Sequence, residues 1–266
     1  MIKVLLVTDA IMCTSKDTKF ILQSFLNLNV QVQIFNINRD TFLDLKTVEA
    51  DFAMNRLDVY SSESRVVYEI LKSRGIKVLN DGFEKTNNKY LSSTLMEFAG
   101  IDTIPTYNIN ANNMDFMISK LNFPFVIKST EGYSGQEVYK VLNSEQAKKI
   151  LLEDNKFFIA QPFISCNGED YRVIVVGRKI VRSIRRSSTT DDFRANLSLG
   201  GVFEDVDSKE LNEKALEVMD ALGLDMLGLD FIFDGEKYLF CEANNCFDTI
   251  NHETAENVIK AVLELS

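Results

Sequence analysis

The stretch from Leu227 to Asn245, LGLDFIFDGEKYLFCEANN, decides how the rest of the chain is read. Two apolar runs, Leu229 to Phe233 and Tyr238 to Cys241, flank Asp234-Gly235, the signature of a β-hairpin. Side chains alternate faces along a strand, so register decides whether the oxygens at the outer ends of the runs cooperate. A two-residue turn puts Asp230 and Glu242 on opposite faces. A three-residue loop, Asp234-Gly235-Glu236, pairs Asp230 with Phe240 and Gly228 with Glu242. Asp230, Glu242 and Asn244 then share one face, and Leu229, Phe231, Leu239 and Cys241 share a dry one. The odd loop, or an equivalent bulge, is therefore expected, with Gly228 leaving room beside Glu242 for an ion.

Two carboxylates and an amide oxygen on one face suit Mg2+ or Mn2+, which takes few protein ligands and completes its shell with water and phosphate oxygens. On spacing alone, this reading stands level with one in which the acidic residues are simply solvated at strand ends.

Composition narrows the classes. The 266 residues suffice for one or two domains, and 45% hydrophobic with 26% charged residues is ordinary for a globular chain. A net charge of -10 with no long basic run argues against nucleic acid as a partner. Cys13, Cys166, Cys241 and Cys246 form no CxxC pair, and the single His252 leaves no basis for a zinc cluster. The apolar start, MIKVLLVTD, is too short for a signal peptide, and no run approaches the roughly 20 residues of a membrane span. A soluble cytoplasmic protein with no membrane partner is expected.

Ile2 to Val7 reads as a strand covered on both faces, followed by a helix from about Thr18 to Leu28 and a strand from Val30 to Phe35. A polar-rich segment leads to Arg56, a helix runs from about Ser62 to Arg74, and Ile76 to Leu79 is a further strand. No GxGxxG follows the first strand, which argues against a dinucleotide site. A helix spans Glu84 to Phe98, and Lys89 inside it reads by default as solvated. FPFVIKS, residues 123–129, is a strand delivering Lys128. The loop TEGYSG, residues 130–135, suits backbone N–H groups laid over a phosphate, although hairpin turns use glycine too. After a helix from about Ser144 to Leu152, residues 157–164 form a strand whose Pro162 belongs at an edge or an interdomain crossing. Strands at Tyr171–Val176 and Lys179–Ile184 lead to Arg182, Arg185, Arg186 and Arg194, four arginines near Gly200-Gly201, which favour an anion site. Helices from about Ser208 to Leu222 and Glu253 to Leu265 complete the chain.

Taken in order, these pieces resemble the ATP-grasp superfamily, specifically the RimK-like carboxylate–amine ligases of its alpha-L-glutamate ligase or LysX-like branch. The residues carrying the resemblance are Lys89 in NNKYLSSTLMEFAGIDTIPTY, Lys128 in FPFVIKSTEGYSG and Asp170 in GEDYRVIVVGRKIV. Further along they are Arg186 in IRRSS, Arg194 and Asn196 in FRANLSLGG, Asp230 in LGLDFIF, and Glu242 with Asn244 in CEAN. The resemblance implies an α/β chain with an N-terminal parallel-sheet domain (1–83), a central lid (84–163) and a C-terminal antiparallel-sheet domain (164–266). ATP would lie between two antiparallel sheets. Lys89 and Lys128 would contact the phosphates under the lid loop, with Glu131, Gly132, Ser134 and Gly135. Gln161, Phe163 and Ile164 would meet the adenine, and Asp170 the ribose. Asp230, Glu242 and Asn244 would hold two Mg2+ (or Mn2+) ions. Arg186 and Arg194 would hold the substrate carboxylate or acyl phosphate, with Arg194 also near the nucleotide and Asn196 orienting the acid.

The implied reaction is attack of a carboxylate on the γ-phosphate of ATP, then of an amine on the acyl phosphate, with glutamate the family default for the amine. The partners would be small carboxylate and amine molecules or a carrier protein, and a dimer or tetramer is left open. Three departures stand out: Pro162 and Glu137 occupy positions that relatives often fill with an acidic residue and a glycine, and Asn245-Cys246-Phe247-Asp248 replaces a turn of small residues. The last turns Asn245 and Asp248 toward the amino substrate. A non-catalytic nucleotide-binding module and a peptide or natural-product tailoring ligase are the alternatives.

Overall fold

The structure, a computed structural model, describes residues 1–57, 61–130, 137–153, 156–189 and 201–265. The N-terminal strand β1 (Lys3–Thr8) is buried from Val4 onward. Its alternate residues serve two cores: Val4 and Leu6 pack with α1 (Lys16–Asn27), while Leu5 and Val7 pack with α2 (Ser62–Ser73). With β2 (Gln31–Asn36), β3 (Phe52–Arg56) and β4 (Lys77–Val78) it forms a parallel sheet of order β2-β1-β3-β4. β3, fully buried, is the strand hidden in what the sequence presents as a polar-rich segment. Its last residues, Asn55 and Arg56, mask the apolar signal of Phe52 to Met54.

The helix expected from Glu84 to Phe98 is two helices, α3 (Glu84–Asn87) and α4 (Lys89–Phe98). Asn88 takes an extended conformation between them, and its side chain accepts the N–H groups of Tyr90 and Leu91 as the cap of α4. A second, antiparallel sheet has order β5-β8-β6-β7, from β5 (Tyr107–Ile109), β6 (Phe125–Ser129), β7 (Val138–Val141) and β8 (Phe158–Pro162). α5 (Met114–Leu121) and α6 (Ser144–Glu153) pack with it. β5 and α5 have no counterpart in the sequence expectation. Pro162 is the last residue of β8, where a missing donor costs the sheet least.

The third sheet, also antiparallel, has order β11-β10-β9-β12-β13: β9 (Glu169–Val176), β10 (Lys179–Ser187), β11 (Val202–Asp205), β12 (Met226–Phe233) and β13 (Tyr238–Asn244). Val173 and Val175 of β9 face α7 (Lys209–Leu222), whereas Ile174 and Val176 join the core beneath α8 (His252–Leu263) and the first sheet. Buried Asn80 ties first and third sheets together, donating to the Met226 carbonyl at 2.7 Å and accepting the N–H groups of Asp225 and Met226. No helix among the described residues is long and apolar enough to cross a membrane.

The space at the missing side chain of Gly228 is taken by Phe247. A Cβ there would lie 2.5 Å from Cβ of Phe247, which packs directly over it. Gly228→Ala should therefore lower unfolding stability by about 1–3 kcal/mol through overpacking. A thermal unfolding midpoint equal to that of the unaltered chain would show that Phe247 moves aside freely.

Candidate active site

The loop of the opening hairpin differs from expectation. Phe233 pairs with Tyr238 and Phe231 with Phe240, so four residues, Asp234 to Lys237, make the turn. On its own that register would put Asp230 and Glu242 on opposite faces. A bulge between Asp230 and Phe231 restores the match, and Asp230 lies directly opposite Glu242, with Gly228 opposite Asn244. The dry face is correspondingly Leu229, Phe231, Phe240 and Ala243. Cys241 instead approaches Lys128, whose Nζ is 3.7 Å from its Sγ.

The charged face runs across four strands as a ladder of cross-strand pairs. Arg186 of β10 stands opposite Asp170 of β9, Arg172 of β9 opposite Asp230 of β12, and Asp230 opposite Glu242 of β13. The Asp170 carboxylate accepts from Arg186 Nε and Nη2 at 2.6 and 2.8 Å. Asp230 accepts from Arg172 Nε and Nη2, both at 2.7 Å, and meets Arg186 Nη2 at 3.2 Å. The Arg186 side chain is only 3% exposed and that of Asp230 10%. Burial works against the Asp230 carboxylate, but Arg172 and Arg186 outweigh it and hold its pKa below the ordinary value. Burial likewise opposes the Arg186 charge, and Asp230 and Asp170 more than restore it.

Two lysines reach this face from other elements. Lys89, which as a helical lysine would by default be solvated, is buried at the first position of α4, and its Nζ lies 3.2 Å from Glu242 Oε1. Lys128 arrives from β6 beside Cys241. Asn244 Nδ2 is 3.4 Å from Asp230 Oδ2, so Asp230, Glu242 and Asn244 stand on one side of the hairpin. Arg172, absent from the sequence-derived set, is the residue that grips Asp230. Its signal was present in Asp170-x-Arg172, a spacing that puts an acid and a base on one face of a strand.

The remaining expected residues are placed less uniformly. Gln161 is buried, and its side-chain amide nitrogen donates to Thr106 Oγ1 at 2.8 Å. The Phe163 ring carries Lys140 Nζ at 3.7 Å, and Ile164 follows it, partly buried, just past the end of β8. Glu137 is paired with Lys156, which removes the difficulty of a free carboxylate near phosphates. It holds φ of +57°, the left-handed region in which a glycine is at ease. Arg182 and Arg185 do not join Arg186: Arg182 pairs with Asp205, and Arg185 with Glu169 and Glu204. Asn245 is buried and structural, donating to the Leu57 carbonyl and accepting from Thr86. Glu131, Gly132, Ser134, Gly135, Arg194 and Asn196 lie outside the described residues.

A divalent ion is chemically at home here, since the donors are hard oxygens. Yet no group of three His, Cys, Asp or Glu side chains that would hold a metal gathers among the described residues. Three carboxylates, Asp170, Asp230 and Glu242, already face four cations, Arg172, Arg186, Lys89 and Lys128. Such a surface attracts an anion first, and a polyphosphate brings the charge that makes Mg2+ welcome. Asp230→Asn should cost about 3–5 kcal/mol of unfolding stability, because two guanidiniums would lose their shared counter-charge in a buried place. A loss below about 1 kcal/mol in denaturant unfolding would show that solvent screens the ladder.

Residues 86–264 match the RimK-like ATP-grasp domain. The chain is 28% identical over 239 residues to the uncharacterized protein MG012 of Mycoplasma genitalium, covering 82% of this chain and 81% of that one. It is also 28% identical to human N-acetylaspartylglutamate synthase A, over 87% of this chain but only 63% of that longer protein. The crystal structure of a RimK domain ATP-grasp protein from Sphaerobacter thermophilus superposes with a TM-score of 0.74 at 18% identity, covering 98% of this chain and 99% of that one. The order of the three sheets, the charged ladder and the extent of the match agree: this chain belongs to the RimK-like family of the ATP-grasp ligase superfamily.

Proposed function

We propose that the protein is an ATP-dependent carboxylate–amine ligase that joins an acid to the amine of an amino acid through an acyl phosphate. The observation that carries this reading is the ladder Arg186–Asp170 and Arg172–Asp230 beside Glu242, faced by Lys89 and Lys128. It presents cations to a triphosphate and oxygen ligands to a divalent ion within one cleft. Lys89 and Lys128 bind the phosphates, and Lys128 offsets charge on the phosphoryl group being transferred. Arg186, held rigid by Asp170 and Asp230, orients the substrate carboxylate for in-line attack on the γ-phosphorus. The bond to the leaving ADP breaks as the acyl–phosphate bond forms, and the amine then displaces phosphate. Bound at Asp230, Glu242 and Asn244, Mg2+ or Mn2+ would neutralise phosphate oxygens. In the same reading Asp170 lies toward the ribose, the backbone of Gln161, Phe163 and Ile164 toward the adenine, and Arg194 and Asn196 toward the acid.

Glutamate is the proposed amine, supported by the product named in the human relative, N-acetylaspartylglutamate. The acid is a small molecule or the terminus of a carrier protein. A non-catalytic nucleotide-binding role, the alternative suggested by Glu137 and Pro162, is disfavoured by the pairing of Glu137 with Lys156.

Coupled-enzyme detection of ADP tests the reaction. ADP should accumulate only when ATP, Mg2+, an acid and an amino acid are all present, and Glu242→Ala should reduce turnover by at least about a hundredfold. Release of AMP and pyrophosphate, or unaltered turnover in the variant, would overturn the acyl-phosphate mechanism. Calorimetric titration with Mn2+ should show weak binding alone and at least about tenfold tighter binding with a non-hydrolysable ATP analogue. Equal affinity in both titrations would mean that the protein forms a complete metal site by itself.

A further inference from the structure

Arg56 ends β3 at the carboxyl edge of the parallel sheet, paired across the ladder with Thr8 at the end of β1. β1 is followed by α1 on one face and β3 by α2 on the other, so the β1–β3 boundary is where the winding of the sheet reverses, a place where α/β sheets open a crevice. The residue is 1% exposed. Its Nη1 donates to the Phe247 carbonyl at 3.0 Å, while Nε and Nη2 are buried with no hydrogen-bond partner among the described residues. A buried guanidinium with two idle donors is costly, and native proteins retain such groups for a reason.

The idle atoms have a recognisable geometry. Arg39, Arg172, Arg182 and Arg186 each present the edge formed by Nε and Nη2 to both oxygens of one carboxylate. In Arg56 that same edge is empty, and the group that fits it is a carboxylate.

What lies next to it narrows the ligand further. Phe247, which holds Nη1, is followed by Asp248, whose carboxyl sits against that of Asp17 at the start of α1. Asp17 Oδ1 is fixed by the N–H and hydroxyl of Thr249 at 2.8 and 2.7 Å. The Asp248 side chain is exposed, yet the protein packed around it and the Asp17 charge push its carboxyl above the usual carboxylate range. Two adjoining carboxylates repel unless a proton or a cation lies between them. An ammonium group supplies that cation.

We infer that Arg56, with Asp17 and Asp248, forms a seat for a free α-amino acid, the guanidinium edge taking its carboxylate and the paired acids its ammonium. The seat would hold the amine substrate of the proposed ligase, and it rests on that reading only for calling the ligand a substrate. Segment 247–249 follows by three residues the strand that carries Glu242 and Asn244.

Binding without turnover tests this. The full chain is screened by thermal shift with the twenty L-amino acids, and each that stabilises it is titrated calorimetrically together with its α-carboxamide, which keeps the ammonium and loses the acid. The acid should bind at least about tenfold more tightly than its carboxamide, and Arg56→Gln should make the two equal. Should the glutamine variant fail to fold, Arg56→Lys, which keeps the charge and loses the paired edge, must still weaken the acid more than the carboxamide. No stabilising amino acid, equal affinity for acid and carboxamide, or a preference untouched by both variants would overturn the seat. A seat that binds while ADP release fails would instead count against the ligase reading alone.

Discussion

Asp230 and Glu242 stand directly opposite each other on adjacent strands, and two carboxylates so placed repel. Only the cations around them make the arrangement tenable, and each comes from a different element. Arg172 arrives from β9, Arg186 from β10, and Lys89 from the first turn of α4. The chain turns at Asn88 in order to start α4 at Lys89, and the sheet order puts β9 between β10 and β12. These features follow from one constraint: negative charge must be gathered on a sheet face without unfolding it. The resulting face carries four cations against three carboxylates, an excess of positive charge that suits an anion.

A second constraint couples this face to the N-terminal sheet. Phe247 fits against Gly228 so closely that even a Cβ there would crowd it, and its carbonyl accepts from Arg56. Thr249 fastens the next turn to Asp17, and Asn80 binds the start of β12. The hairpin that carries Asp230, Glu242 and Asn244 and the carboxyl edge of the parallel sheet are thus tied together through residues 247–249.

Much of this was legible in the sequence because strand periodicity and oxygen-bearing side chains are local signals. The sheets, the hairpin, and the shared face of Asp230, Glu242 and Asn244 could be argued from spacing, together with the need for an odd offset or a bulge. The bulge itself could not be placed, since nothing in YLFCEAN says which residue is extra; that is settled by packing of Phe231 and Phe240 against α7. β3 was hidden because two polar residues end a five-residue strand, and those residues are buried for reasons that lie on other elements. Arg172, Arg182 and Arg185 were alike in sequence as strand arginines, and only the pairing of strands decides that the first grips Asp230 while the others serve the periphery. For Lys89 the residue type alone offered only the default of a solvated helical lysine, and the resemblance, not the spacing, marked it out; the break at Asn88 that buries it is a tertiary feature.

The central claim is that Asp230 and Glu242 receive a nucleotide-bound divalent ion on the face where Arg172, Arg186 and Lys89 now hold them. The most direct measurement is the anomalous scattering of Mn2+ in crystals grown with a non-hydrolysable ATP analogue. The account predicts manganese coordinated by oxygens of both Asp230 and Glu242, with the triphosphate against Lys89 and Lys128. Manganese bound elsewhere, with Asp230 still clasped by both guanidiniums and Glu242 still on Lys89, would contradict it.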